Sequence, residues 1–213
     1  MERTDLQKNN DAVFGGLPYR AVALALPFLI LAVHLGIMVL TLPPEEFTAM
    51  VGLMVAYMLP PAGKETVIPI GIALGIPWWY MALSVTMIDV ETGLFMALNF
   101  DLAYRIPLVG PIISDLTEKT KSFLAAHYWL AGLWFFAIVL MVSVPFFGSG
   151  GIRGSIAGKL LGLSTWLTFF AILAGALIGC FVMALFSDAI MAYLCSNGAI
   201  PAGIGLPVCN GVP

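Results

Sequence analysis

Charge is what this chain has least of. Only 10% of its 213 residues are Asp, Glu, Lys or Arg, against 61% hydrophobic, where a soluble domain carries about a quarter charged. Mean hydropathy is +1.00. One soluble core cannot hide this much apolar surface, so lipid has to act as part of the solvent. Histidine and cysteine are scarce too, with two and three copies. Cys180 sits inside an apolar run, Cys195 and Cys209 flank a Gly/Pro-rich tail, and no zinc-ligand spacing is present, so neither a metal nor a cofactor is expected. There is no Ser/His/Asp set and no Cys/His pair at depth, and His34 and His127 fall far apart. The chain therefore does not read as an enzyme. No basic run interleaved with aromatics suggests nucleic acid. The first twenty residues do not read as a signal peptide, because they hold Glu2, Arg3, Asp5, Lys8, Asp11 and Arg20, and the apolar run after them is too long for a signal core.

What is present is a series of apolar runs, and a membrane crossing needs about 20 such residues. Ala21–Leu42 meets this with His34 as its ionisable group, and Pro43-Pro44-Glu45-Glu46 closes it. Pro77–Asn99 is a second candidate that opens on the interfacial aromatics Trp78, Trp79 and Tyr80, and it contains Asp89 and Glu91. Thr165–Ser187 is a third and carries no charge. Two further regions are broken. Phe47–Leu59 is too short to cross, runs into Pro60-Pro61-Ala62-Gly63-Lys64-Glu65, and is followed by Thr66–Ile76. Leu130–Val144 likewise runs into Pro145 through Gly154, with Arg153 near the end, and then into Ser155–Leu163.

The order of short helix, Pro/Gly break with a cation, short helix and full span thus occurs twice. Paired interrupted segments of this kind point to inverted-repeat transporters, because non-helical backbone at membrane depth survives only when buried in protein or facing water. The expected fold is an all-α polytopic membrane protein. It is an inverted repeat with two re-entrant helical hairpins, at about 47–76 and 130–163, plus full transmembrane helices. Residues 1–20 form a cytoplasmic segment, 21–195 one transmembrane domain and 196–213 a tail, with 101–127 as an interfacial connector. With the N-terminus in the cytoplasm, Arg3, Lys8, Arg20, Arg105, Lys119, Lys121 and Lys159 all lie inside and no Lys or Arg lies outside, as the positive-inside rule requires. The expected location is the plasma membrane of a prokaryote, and this topology places the C-terminus outside, where Cys195 and Cys209 can pair or remain free thiols.

Pro69-Ile70-Gly71-Ile72-Ala73-Leu74-Gly75-Ile76-Pro77 resembles the IPxGxxxGxP stretch of the small multidrug export family, a branch of the DedA-like membrane proteins. Val144-Pro145-Phe146-Phe147-Gly148-Ser149-Gly150, continuing to Gly154 and Leu160-Leu161-Gly162-Leu163, is similar to its second motif. The resemblance covers roughly residues 50–187. It implies two re-entrant hairpins and a transport role, with lipid phosphates such as polyprenyl phosphates as cargo in related proteins. Two departures stand out. Gly63-Lys64-Glu65 replaces a Glu-Leu-Arg triplet, and Asp89 stands where the family tends to place Asn.

Ionisable groups at membrane depth cost about 2.5–3.5 kcal/mol each on insertion scales, so each needs a partner or water. Lys64 and Arg153, brought together at the hairpin tips, are the expected anion site, with the backbone of Gly148, Ser149 and Gly150 approaching the same oxygens. Structural roles, neutralising a tip or tying down loop carbonyls, compete with this assignment. Glu65 and Asp89 are the candidate proton carriers, since burial favours the protonated carboxyl and a neighbouring cation the ionised one. Asp89 has an equal claim as a strut between helices. Glu91 falls on a different face of the helix, towards its cytoplasmic end, and His34 reads as a packing or helix–helix hydrogen-bonding residue. The expected function is a proton-coupled secondary transporter of an anionic lipid; small multidrug efflux and an uncoupled lipid scramblase are the alternatives. Expected partners are membrane lipids, the anionic amphiphile and protons, with a homo-oligomer left open.

Overall fold

The computed structural model describes residues 17–59, 61–100, 130–144, 150–199, 207 and 209. Every element of any length among them is a helix, in the order α1 Leu17–Thr41, α2 Pro44–Met58, α3 Lys64–Ala73, α4 Trp78–Leu98, α5 Leu130–Ser143, α6 Gly150–Leu160 and α7 Thr165–Ser196. Segments within α1, α4 and α7 are long and apolar enough to cross a membrane. The expected connector 101–127, His127, Gly148 and Ser149 lie outside the described residues.

Proline and glycine set most of the boundaries. Pro44 opens α2 with Glu45 and Glu46 in its first turn, where Pro lacks only a donor the helix would leave unpaired and acids favour the positive helix end. The first short helix therefore begins at Pro44 and not at Phe47. Leu59 is extended ahead of Pro60, the conformation that a following proline imposes. α3 and α6 stop in the same way. Gly75 (φ +93) and Gly162 (φ +75) take the left-handed conformation, and the residues after them, Ile76 and Leu163, donate back to the carbonyls of Gly71 and Gly158 at 3.1 and 2.9 Å. This is a glycine cap with a buried apolar residue behind it. The four-residue links Leu74-Gly75-Ile76-Pro77 and Leu161-Gly162-Leu163-Ser164 then feed α4 and α7.

The order of two short helices and one long one is thus realised twice, and the halves interlock. α4 packs along α7, and each short returning helix also lies on the long helix of the other half, α3 on α7 and α6 on α4. One core cluster joins Tyr57, Ile68, Ile72, Met81 and Cys180, while a second joins Ile138, Val142, Ile172 and Ala176. α1 lies antiparallel on the outside of α4. Thr41 and Tyr80 hydroxyls are 2.8 Å apart near one end, and Asn99 donates to the Ala23 carbonyl at 3.0 Å near the other. Outward apolar side chains such as Leu40 (86% exposed), Phe136 and Phe186 suit hydrocarbon, not water. α7 continues to Ser196, beyond the expected end at Ser187.

Candidate functional site

Asp89 is the twelfth residue of the 21-residue α4, so its carboxylate sits near mid-helix. Both helix-pair turns arrive there. From the first half come Tyr57 at the end of α2 and Lys64 at the start of α3; from the second come the last turn of α5 and the first of α6. Tyr57 donates its hydroxyl to Asp89 Oδ1 at 2.8 Å, the Gly151 amide donates to the same oxygen at 3.0 Å, and Lys64 Nζ donates to Oδ2 at 3.2 Å. Lys64 also donates to the Val142 carbonyl at 2.9 Å, and the Gly150 amide reaches the Tyr57 hydroxyl at 3.4 Å. Lys64 and Asp89 are both 0% exposed.

This wiring answers needs that the broken helices create. A helix leaves its last carbonyls and first amides unpaired. Lys64 takes one carbonyl from the end of α5, and Asp89 takes an amide from the start of α6, each charge at the dipole end that suits it. The fit is close: a side chain at Gly151 would run into the Asp89 main-chain carbonyl, and one at Gly150 would come within 3.0 Å of Asp89 Oδ2. α3 needs its own arrangement because Gly63 at its start has no side chain. Thr66 accepts the Gly63 amide at 3.1 Å, and the Glu65 carboxylate folds back over Gly63. Glu65 is half-buried, and its Oε2 is buried with no hydrogen-bond partner among the described residues.

The candidate residues are thus distributed as follows. Lys64, Asp89 and Gly150 meet directly, Glu65 lies one residue from Lys64, and Arg153 is half-buried one turn into α6. Sequence reasoning missed Tyr57, Gly151 and the Val142 carbonyl. Tyrosine in an apolar run resembles an interfacial anchor, and a main-chain group has no signature, although Tyr57 does stand just before the Pro60-Pro61 break. Glu91 is only 6% exposed, and its Oε1 lies 3.1 Å from Nδ1 of His34, itself 7% exposed. The helix–helix role read for His34 holds, with Glu91 as its partner. Cys195 and Cys209 form a disulfide. No cluster that could hold a metal ion occurs among the described residues.

A family model described as "Putative small multi-drug export protein" matches residues 64–182. This is more than half of the chain, starting at Lys64 and ending within α7. No curated protein and no solved structure matches.

Proposed function

We propose, from the premise that this chain belongs to the small multi-drug export family, that it carries an anionic amphiphile such as a polyprenyl phosphate across a membrane together with a proton. The observation that carries the reading is the convergence on Asp89 of a hydroxyl, a main-chain amide and an ammonium. Together they form an anion cradle, and in this state the protein's own carboxylate fills it.

A phosphate oxygen needs the same donors. Protonation of Asp89 removes the charge that holds Lys64 and leaves a buried ammonium without a counter-charge, a costly state. A singly charged headgroup restores neutrality. Proton and anion thus load together, since either alone leaves net charge at depth. Arg153 supplies a planar fork for phosphate, and Gly150 supplies main-chain approach at the start of α6. Glu65, with its buried unpartnered oxygen, is the second proton carrier.

The short helices have 15, 10, 14 and 11 residues, and at about 1.5 Å per residue none covers a hydrocarbon core of about 30 Å. Both pairs turn at mid-α4, which favours two re-entrant hairpins entering from opposite faces. The disulfide favours an oxidising side for the C-terminus, which with three crossings favours a cytoplasmic N-terminus; the membrane proposed is a prokaryotic plasma membrane.

Lipophilic cation export is the second reading, and the same Glu65 oxygen favours it because a buried acceptor suits a cation. Proteoliposomes loaded with either substrate, with and without a proton gradient, separate the two. The expected result is gradient-driven phosphate movement that falls roughly tenfold or more in Arg153→Ala, the scale of a lost charge-assisted hydrogen bond. Cation movement without phosphate movement favours efflux, and equal phosphate rates with and without the gradient leave only an uncoupled scramblase.

A further inference from the structure

The Asp89 centre leaves one buried ionisable pair unused. His34 on α1 and Glu91 on α4 are 7% and 6% exposed and joined at 3.1 Å, and both lie within segments long and apolar enough to cross a membrane. Two residues along a helix is about 200° of turn, so Glu91 leaves α4 on another side from Asp89 and meets α1. We propose that His34 and Glu91 form a second proton-binding site, separate from the Asp89 centre, that holds one proton as a unit at neutral pH.

The reason is a charge count. With one proton to share, the pair is either imidazolium with carboxylate or imidazole with carboxylic acid. Both arrangements are neutral overall and keep the hydrogen bond, so the proton belongs to the pair and not to either residue. Without it, the pair becomes a lone carboxylate between two apolar helices, the state that membrane depth penalises most. Among the described residues, no other charge is placed to compensate. On α1, His34 is the ionisable residue of the run 21–41. On α2, Glu45 and Glu46 are in the first turn, and Tyr57 is turned to Asp89. On α4, Asp89 is held by Lys64 of α3, and Tyr80 is at the opposite end, on Thr41. Glu65 of α3 folds over Gly63. Arg153 and Lys159 of α6 and Asp188 and Tyr193 of α7 form no ion pair with Glu91, and Cys180 of α7 sits beside Lys64.

The pair also joins the matched and unmatched parts of the chain. Residues 64–182 include Glu91 and exclude α1, so the proton site is completed by a helix outside the matched segment. The inference does not depend on which substrate is carried.

The test uses the full chain in lipid nanodiscs with His127→Gln, which leaves His34 as the only imidazole. Nitrogen NMR reads the His34 protonation state, and the infrared carboxylic-acid band lost in Glu91→Gln reads Glu91. The expected result at pH 7 is one proton, seen as imidazolium signals or as that band. In His34→Gln, where an amide replaces the imidazole, the carboxyl must carry the proton alone and its band is present whichever arrangement the parent shows. A neutral His34 beside an ionised Glu91 in the parent protein overturns the proposal, as does an unchanged ionised Glu91 in His34→Gln.

Discussion

Lys64 and Asp89 are each fully enclosed, so each charge is tolerated only because the other is 3.2 Å away. Breaking a buried pair from one side costs about 3–5 kcal/mol, mainly through the charge left behind. Asp89→Asn should therefore lower thermal stability in detergent by that order, and adding Lys64→Met should restore most of it. A double variant as unstable as the single one would shift the weight from the charge pair to the Tyr57 and Gly151 hydrogen bonds. Tyr57→Phe removes only one donor and should cost about 1 kcal/mol, read in the same unfolding measurement. Lys64 and Asp89 were legible in the sequence because charge in an apolar run announces itself. Their pairing was not, since the separation of 25 residues carries no periodic signal and an equally plausible partner for the cation was a substrate anion.

Helices in lipid gain little from burying apolar surface against each other, so close approach has to come from small residues. α7 presents Gly175 and Gly179 to α5, where a side chain would stand 2.6 and 2.5 Å from the Val139 and Ser143 carbonyls. α6 meets α7 in the same way, with Gly154 against Ile172 and Gly158 against Thr168. Gly179→Leu should force the helices apart at a cost of about 1–3 kcal/mol, visible as a lower melting temperature and lower yield of folded protein. Gly36→Ala is the control, because nothing lies within 4 Å of its open side. It should be neutral or gain up to about 1 kcal/mol from helix propensity. A destabilised Gly36→Ala would mean that α1 packs against a surface not seen in the single chain. The four-residue glycine spacing is readable from the sequence, but which helix each seam faces depends on how the halves interlock. The element boundaries were legible to within a few residues wherever Pro or Gly stops a helix. They failed at Ser187, where no breaker marks the end, and at Phe47, where the helix takes in Pro44, Glu45 and Glu46 as its first turn.

For the molecule as a whole, orientation is the main open consequence of the proposed topology. The Cys195–Cys209 bridge closes a segment with a separation of 14 and brings Pro207 over Gly75, between α3 and α4. After reduction, a membrane-impermeant maleimide should label both cysteines from outside intact cells and leave buried Cys180 unlabelled; labelling only in inverted vesicles would reverse the topology. Cys195→Ser should cost up to about 3 kcal/mol, the chain-entropy value for a loop of this size, read as a lower melting temperature than that of the oxidised parent. By itself the sequence determined that the chain is helical and lipid-facing, that two interrupted segments precede two long helices, and which charges interrupt the apolar runs. Composition and breaker residues are local properties, and they act on the nearest turn of backbone. Only the tertiary structure decided that Asp89 joins both turns, that Tyr57 and Gly151 complete its shell, and that Glu91 belongs to His34. Those contacts depend on how helices far apart in the chain are rotated and staggered, and packing sets that for all of them together.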